Sequence, residues 1–169
     1  TTRYIFTASW TAIPRSVTYG LNGGSGSAPT TLTGKTIGQI VTLDSTTATK
    51  DGYTFGGWYA EVGLATLVSG SQTPSASATL YAKWDANNYT ITFNYNGATG
   101  GNSTTSSVYT TGGSGVTLPT PTKTNYTFSG WFSDAGLTTQ VTGTQTPSAD
   151  ATLYAKWTGI TYTLTYNYN

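Results

Sequence analysis

The chain has 169 residues with seven basic and six acidic side chains, no histidine and no cysteine. A net charge of +1 offers polyphosphates no basic stripe, which argues against nucleic acid and against anionic membrane surfaces as partners. Without cysteine no disulfide can brace a small unit, so aromatic burial must substitute: Trp, Tyr and Phe make up 14% of the residues.

In chain order, the first run is YIFTASW, closing at Trp10; TLYAKW then closes at Trp84 and again at Trp157. After each tryptophan a new alternating run opens, marked by Val17/Tyr19, Ile91/Phe93 and Leu164/Tyr166. Period two marks half-buried strands. Asn22-Gly23 and Asn96-Gly97 end the opening strands with turn signals. Gly/Ser/Thr loops follow, with weaker strands expected around Thr36–Val41 and Ser107–Thr111. Pro119 and Pro121 then point to an extended stretch over Val116–Lys123, on the surface or a sheet edge.

Residues 53–84 return at 126–157, identical at 22 of 32 positions. This block holds a strand interrupted at Gly130, where the missing side chain indicates a bulge or a close backbone approach. Residues 133–147, with Gly136, Gly143 and Pro147, leave room for one short helical turn at most. Leu153, Ala155 and Trp157 then share one strand face, with Tyr154 and Lys156 on the other.

The expected organisation is the closing strand of one repeat (1–10), two whole modules (11–84 and 85–157) and the opening strand of another (158–169). Both ends cut through a repeat, so the residues read as a window on a longer polypeptide; the alternative is a subunit whose end strands pair with neighbours. With no long helical period the class is mainly β, or α+β if the short helix of each unit forms.

Gly52–Tyr59 (G-Y-T-F-G-G-W-Y) and Asn125–Phe132 (N-Y-T-F-S-G-W-F), each followed by T-L-Y-A-K-W, resemble the Listeria–Bacteroides repeat, the B-repeat type of internalin-like and other large bacterial surface proteins. The resemblance covers both units nearly end to end. It implies small β-grasp-like modules, an extracellular or cell-surface location and a role in adhesin-type stalks, and it supplies no catalytic residues.

The residues support that picture. Phe55, Trp58, Leu80, Trp84, Phe128, Trp131, Leu153 and Trp157 fall on common strand faces, which makes them core; their aromatic faces could also stack on sugars, but the periodicity favours packing. Tyr81 and Tyr154, on the opposite face, are the better candidates for a ligand or an inter-module contact. Catalysis lacks a histidine or cysteine base, and Glu61 and Asp134 alone of the six carboxylates share a repeat position. No spacing of carboxylates suits calcium, and no cofactor is expected. Lys83 and Lys156 alternate away from the tryptophans, toward solvent, against the buried, deprotonated lysine that an isopeptide cross-link requires; Lys50 and Lys123 recur before the core block. Asn88, Asn102 and Asn125 lie in N-x-S/T sequons. Leu118–Thr122 resembles a sortase signal but lacks the threonine-glycine end, and the residues hold no signal peptide or apolar membrane run.

The function expected is a spacer, stalk or fibre segment whose partners are neighbouring repeats. Its rival is a glycan- or host-protein-binding module acting by multivalency. The short connection Asp85–Asn88 restricts swivelling between modules, each about 30 Å across for a radius of gyration near 11 Å, and predicts a semi-rigid rod. Loops 24–50 and 98–123 differ between the units, which favours the spacer.

Overall fold

The computed structural model describes residues 3–168 apart from 6, 37, 38, 44–47 and 102. The sequon residue Asn102, Phe6 of the first run and part of the strand expected over 36–41 lie outside the described residues. The chain forms two compact units, Thr1–Asp85 and Ala86–Asn169.

In the second unit, β10 (Asn88–Asn94), β11 (Ser106–Thr110), β12 (Tyr126–Phe132), β13 (Gln140–Val141) and β14 (Ala151–Gly159) form one sheet in the order β11-β10-β14-β12-β13. The first unit repeats this arrangement with β1 (Arg15–Gly20), β3 (Leu32–Lys35), β6 (Tyr53–Tyr59), β7 (Leu67–Val68) and β9 (Ala78–Ala86), ordered β3-β1-β9-β6-β7. Two small ladders complete it: β2 (Ser25–Gly26) with β5 (Ala48–Thr49), and β4 (Val41–Thr42) with β8 (Ser71–Gln72). In each sheet the opening and closing strands are parallel neighbours at the centre, with Val17 opposite Ala78 and Ile91 opposite Ala151.

The alternating residues of these strands build one apolar face. Ile91, Phe93, Leu153, Ala155 and Trp131 are buried, with Phe128 and Trp157 partly buried against them. In the first unit Val17, Trp58, Leu80 and Ala82 are buried, with Tyr19, Phe55 and Trp84 packed alongside. The rings meet edge-on or tilted, as their quadrupoles favour: Phe128 lies 5.7 Å from Trp131 and 5.3 Å from Trp157, centroid to centroid.

Turns and the bulge follow from backbone chemistry. Asn22 and Gly23 have φ of 51° and 84°, Asn96 and Gly97 48° and 79°, so both turns are left-handed at both central positions, which Asn-Gly tolerates. At the start of the core block, Gly52 (φ 78°) and Asn125 (φ 65°) fill the same left-handed position, and these residue types tolerate it best. The register of β12 shifts between Phe128 and Gly130, where the bulge sits.

Two expectations need correction. No helix forms among the described residues, which are mainly β, so the short helix of the α+β alternative is not seen there. After β12 the chain makes a tight turn in which Leu137 has φ of 56° and Asp134 accepts the N–H groups of Thr138 and Thr139. A left-handed leucine breaks the α-helical course, and the carboxylate takes donors that would otherwise enter a helical ladder. The second correction concerns the proline stretch. Instead of following a sheet edge it crosses the core face, with Val116 buried, Leu118 packed against the aromatic cluster and the Pro119 carbonyl accepting the Trp131 indole N–H at 2.8 Å.

The described residues before Arg15 and those from 160 to 168 form no strand. Their apolar side chains stand in solvent: Trp10 is 91% and Tyr168 92% exposed.

Candidate functional site

The feature most fully rebuilt from one unit to the next is the seam between the opening and closing strands. In the second unit Ile91, Thr92, Phe93 and Asn94 face Ala151, Thr152, Leu153 and Tyr154; in the first, Val17, Thr18, Tyr19 and Gly20 face Ala78, Thr79, Leu80 and Tyr81.

Side chains extend each ladder beyond its backbone bonds. At the leading end, the N–H of Thr90 donates to the Asp150 carboxylate at 2.7 Å, and that of Ser16 to the Ser77 hydroxyl at 3.0 Å. At the far end, the left-handed asparagine of each turn reaches across: Asn96 Nδ2 donates to the Ala155 carbonyl at 2.8 Å, Asn22 Nδ2 to that of Ala82 at 3.2 Å. The closing tryptophans donate back, Trp157 Nε1 to the Tyr95 carbonyl at 3.0 Å and Trp84 Nε1 to that of Leu21 at 2.8 Å. The asparagine and tryptophan bonds satisfy part-buried polar groups at the margin of the core, where leaving a group unpaired and dry costs about 1–3 kcal/mol, whereas the Thr90 and Ser16 bonds are exposed. Sequence reading missed the asparagine and Ser77/Asp150 ties, although their recurrence in register was available as a signal.

Recurring lysines brace the same turns. Lys123 Nζ lies 4.8 Å from the Tyr126 ring centroid and donates to the Asn96 carbonyl at 2.9 Å; Lys50 Nζ lies 4.4 Å from the Tyr53 ring. On the outer face, Lys156 sits 4.8 Å from the Phe132 ring, while Lys83 pairs with Asp85 at 3.0 Å. The Asp85 hydrogen bond and charge raise the pKa of Lys83 above its ordinary value, which keeps it protonated and non-nucleophilic.

Tyr81 and Tyr154 are half-buried on the outer face. Tyr81 lies along Gly20, where a Cβ would stand 3.2 Å from its ring, and Tyr154 sits opposite Phe132, which is buried on this face. The structure thus places both tyrosines on sheet neighbours of their own unit.

The recurring carboxylates are occupied by their turns. Glu61 accepts the Thr66 hydroxyl at 2.7 Å. Asp134 accepts the N–H of Thr139 at 2.8 Å and of Thr138 at 3.1 Å, and these bonds hold its carboxyl below the ordinary aspartate range. Because the folded value is the lower one, its contribution to stability is present above the unfolded value of about 3.9 and is lost as pH falls through the folded value. NMR titration of the Asp134 carboxyl is expected to give a midpoint below about 3.9. A midpoint at or above that would show the turn bonds to be absent in solution, and Asp134→Asn should flatten the corresponding acid limb of the stability profile.

Among the described residues no three His, Cys, Asp or Glu side chains gather as a metal site, and no helix is long and apolar enough to cross a membrane. Each unit has an apolar cleft. That of the first, about 290 Å³, is lined by Val17, Leu43, Val68, Pro74 and Leu80; that of the second, about 430 Å³, by Leu118, Phe128, Trp131, Gln140 and Val141. The linings overlap at the equivalent pairs Leu43/Leu118 and Val68/Val141, and their remaining residues draw on different parts of the two units.

The model of the Listeria-Bacteroides repeat domain matches residues 16–83 and 89–156. A provisionally named membrane protein of Evansella cellulosilytica is 34% identical over 167 residues, covering 96% of this chain and 24% of the relative. A provisionally named Gly-rich membrane protein of the same organism is 39% identical over 124 residues, 71% of this chain and 14% of its own. Internalin H of Listeria monocytogenes is 36% identical over 132 residues, 75% of this chain and 23% of the relative. The chain thus spans about a quarter or less of the length of these relatives, and no solved structure matches it. With both units matched nearly end to end, the chain belongs to the Listeria-Bacteroides repeat family and carries that domain twice in tandem.

Proposed function

We propose that the chain is a structural spacer, a stalk or fibre segment of a bacterial cell-surface protein of the adhesin type, built of tandem β-grasp-like modules whose partners are neighbouring repeats. The observation that carries this reading is what recurs. The seam, its asparagine and tryptophan ties and the aromatic core are rebuilt in register, whereas the clefts and the loops between strands differ. An array of equal binding sites needs its contact residues repeated; a spacer needs its folding residues repeated.

The sheet order, with first and last strands parallel at the centre, supports the β-grasp-like assignment. Only Asn87 separates β9 from β10, so an array gains length with each repeat at little cost in linker. The names of the relatives support a place in the cell envelope.

A glycan array probed with the two-unit chain tests the reading. The expected result is no binding that depends on Tyr81 and Tyr154. Binding abolished by Tyr81→Ala with Tyr154→Ala would replace the spacer by a multivalent adhesion module.

A further inference from the structure

We infer that each repeat is a mechanical clamp that resists tension along the chain by loading its parallel seam in shear. This deepens the spacer reading and rests on it for biological use, though not for the mechanics.

The direction of the pull decides how the seam breaks. Tension on the second unit enters at the start of β10, near Asn88, and leaves at the end of β14, near Gly159. Because the two strands are parallel, β10 is drawn toward its own beginning and β14 toward its own end. The pulls oppose each other along the ladder, so the register pairs from Ile91–Ala151 to Asn94–Tyr154 must yield together. Had the terminal strands been antiparallel, the same tension would have opened them from one end, a pair at a time. The first unit has the same geometry from Val17–Ala78 to Gly20–Tyr81.

Three further features resist that shear. The seam is interior to the sheet, with β11 outside β10 and β12 outside β14, so water cannot reach its bonds from a free edge. Ile91, Phe93, Leu153 and Ala155 lie buried beneath it, and sliding the strands past one another would break this packing. The side-chain bonds at both ends are also arranged across the seam: Asp150 to the Thr90 N–H, Asn96 to the Ala155 carbonyl and Trp157 to the Tyr95 carbonyl. Equivalent bonds from Ser77, Asn22 and Trp84 do the same in the first unit. Forced unfolding is governed by the barrier to breaking such contacts and not by equilibrium stability, so a marginally stable module can still be strong along this axis.

The test is single-molecule stretching of the full chain held at its two ends. Two rupture events are expected, each freeing about 70 residues and so releasing about 200 Å of chain beyond the folded span. The chain has no cysteine, so Ala86→Cys and Ser148→Cys, both exposed, supply a second pair of attachment points. These lie at the same end of the β10–β14 seam, and pulling between them peels it. Rupture there is expected at a several-fold lower force than end to end. Asn96→Gly keeps the left-handed turn and removes one tie; it should lower the force of one event and leave the other, from the first unit, as an internal control. Equal forces in the two geometries, or extension without resolved ruptures, would overturn the clamp. The two readings fail separately: a weak end-to-end rupture in a chain that binds no glycan removes the clamp and leaves the spacer, while tyrosine-dependent glycan binding removes the spacer and leaves the rupture force unchanged.

Discussion

Trp131→Ala is expected to unfold the second unit and leave the first folded. The Trp131 side chain is among the most deeply buried in the molecule, at 2% exposure. It contacts the rings of Phe93, Tyr95 and Phe128 at centroid distances of 5.1, 5.2 and 5.7 Å, and its indole N–H satisfies the Pro119 carbonyl. Truncation removes the centre of the aromatic cluster and the bond that fixes the proline stretch over it. Large-to-small changes of this kind cost about 3–5 kcal/mol. A unit of some 73 residues is stable by about 4–11 kcal/mol on general scaling, and one with no disulfide belongs toward the lower end. Hydrogen exchange read by mass spectrometry checks the outcome: peptides from 88–159 should lose protection while those from 15–86 keep it. Protection lost in both units would show that they fold as one cooperative body, and protection lost in neither would show that the cluster tolerates the cavity.

Gly130→Ala should have the next largest effect, and Gly57→Ala should reproduce it in the first unit. Gly130 has φ of 113° and Gly57 110°, a region that residues with a Cβ rarely adopt. Space is short as well: a Cβ at Gly130 would stand 2.5 Å from Gln140 Nε2, and one at Gly57 2.8 Å from the Leu67 side chain. Backbone strain of about 1–3 kcal/mol therefore adds to overpacking of similar size, unless Gln140 gives up its bond to the Ser129 carbonyl and swings away. Denaturant midpoints should fall for the affected unit. Gly130→Ala with Gln140→Ala separates the two costs, because it restores the space and leaves the φ strain. A double variant no more stable than Gly130→Ala would assign the whole loss to the backbone.

Much of this was legible in the chain because it is local. The alternation Tyr89, Ile91, Phe93, Tyr95 marks a strand with one buried face wherever that strand goes. Asn96-Gly97 specifies a left-handed turn through its own backbone preferences, and Gly130 marks the bulge because no other residue fits there comfortably. Residues 133–147 form no helix for a physical reason. The glycines and length of 133–147 permit one turn of helix, but the left-handed Leu137 and the capture of two N–H groups by Asp134 decide against it. Pro119 misled in the same way. A proline cannot donate to a ladder, which suggests an edge, but its carbonyl remains free to accept, and here Trp131 comes to it from the core.

The sequence by itself determined the repeat, the strand faces, the turns and the aromatic residues that fill each core, since these follow from spacing and local backbone preference. Only the tertiary structure decided that the first and last strands of a unit lie side by side and parallel, and that Asn96, Trp157 and Asp150 stitch them together. Those partners stand about 60 residues apart in the chain. No periodicity encodes such a pairing; it arises when the whole sheet closes over one apolar face and leaves the polar groups at the seam's margins a single set of partners within reach.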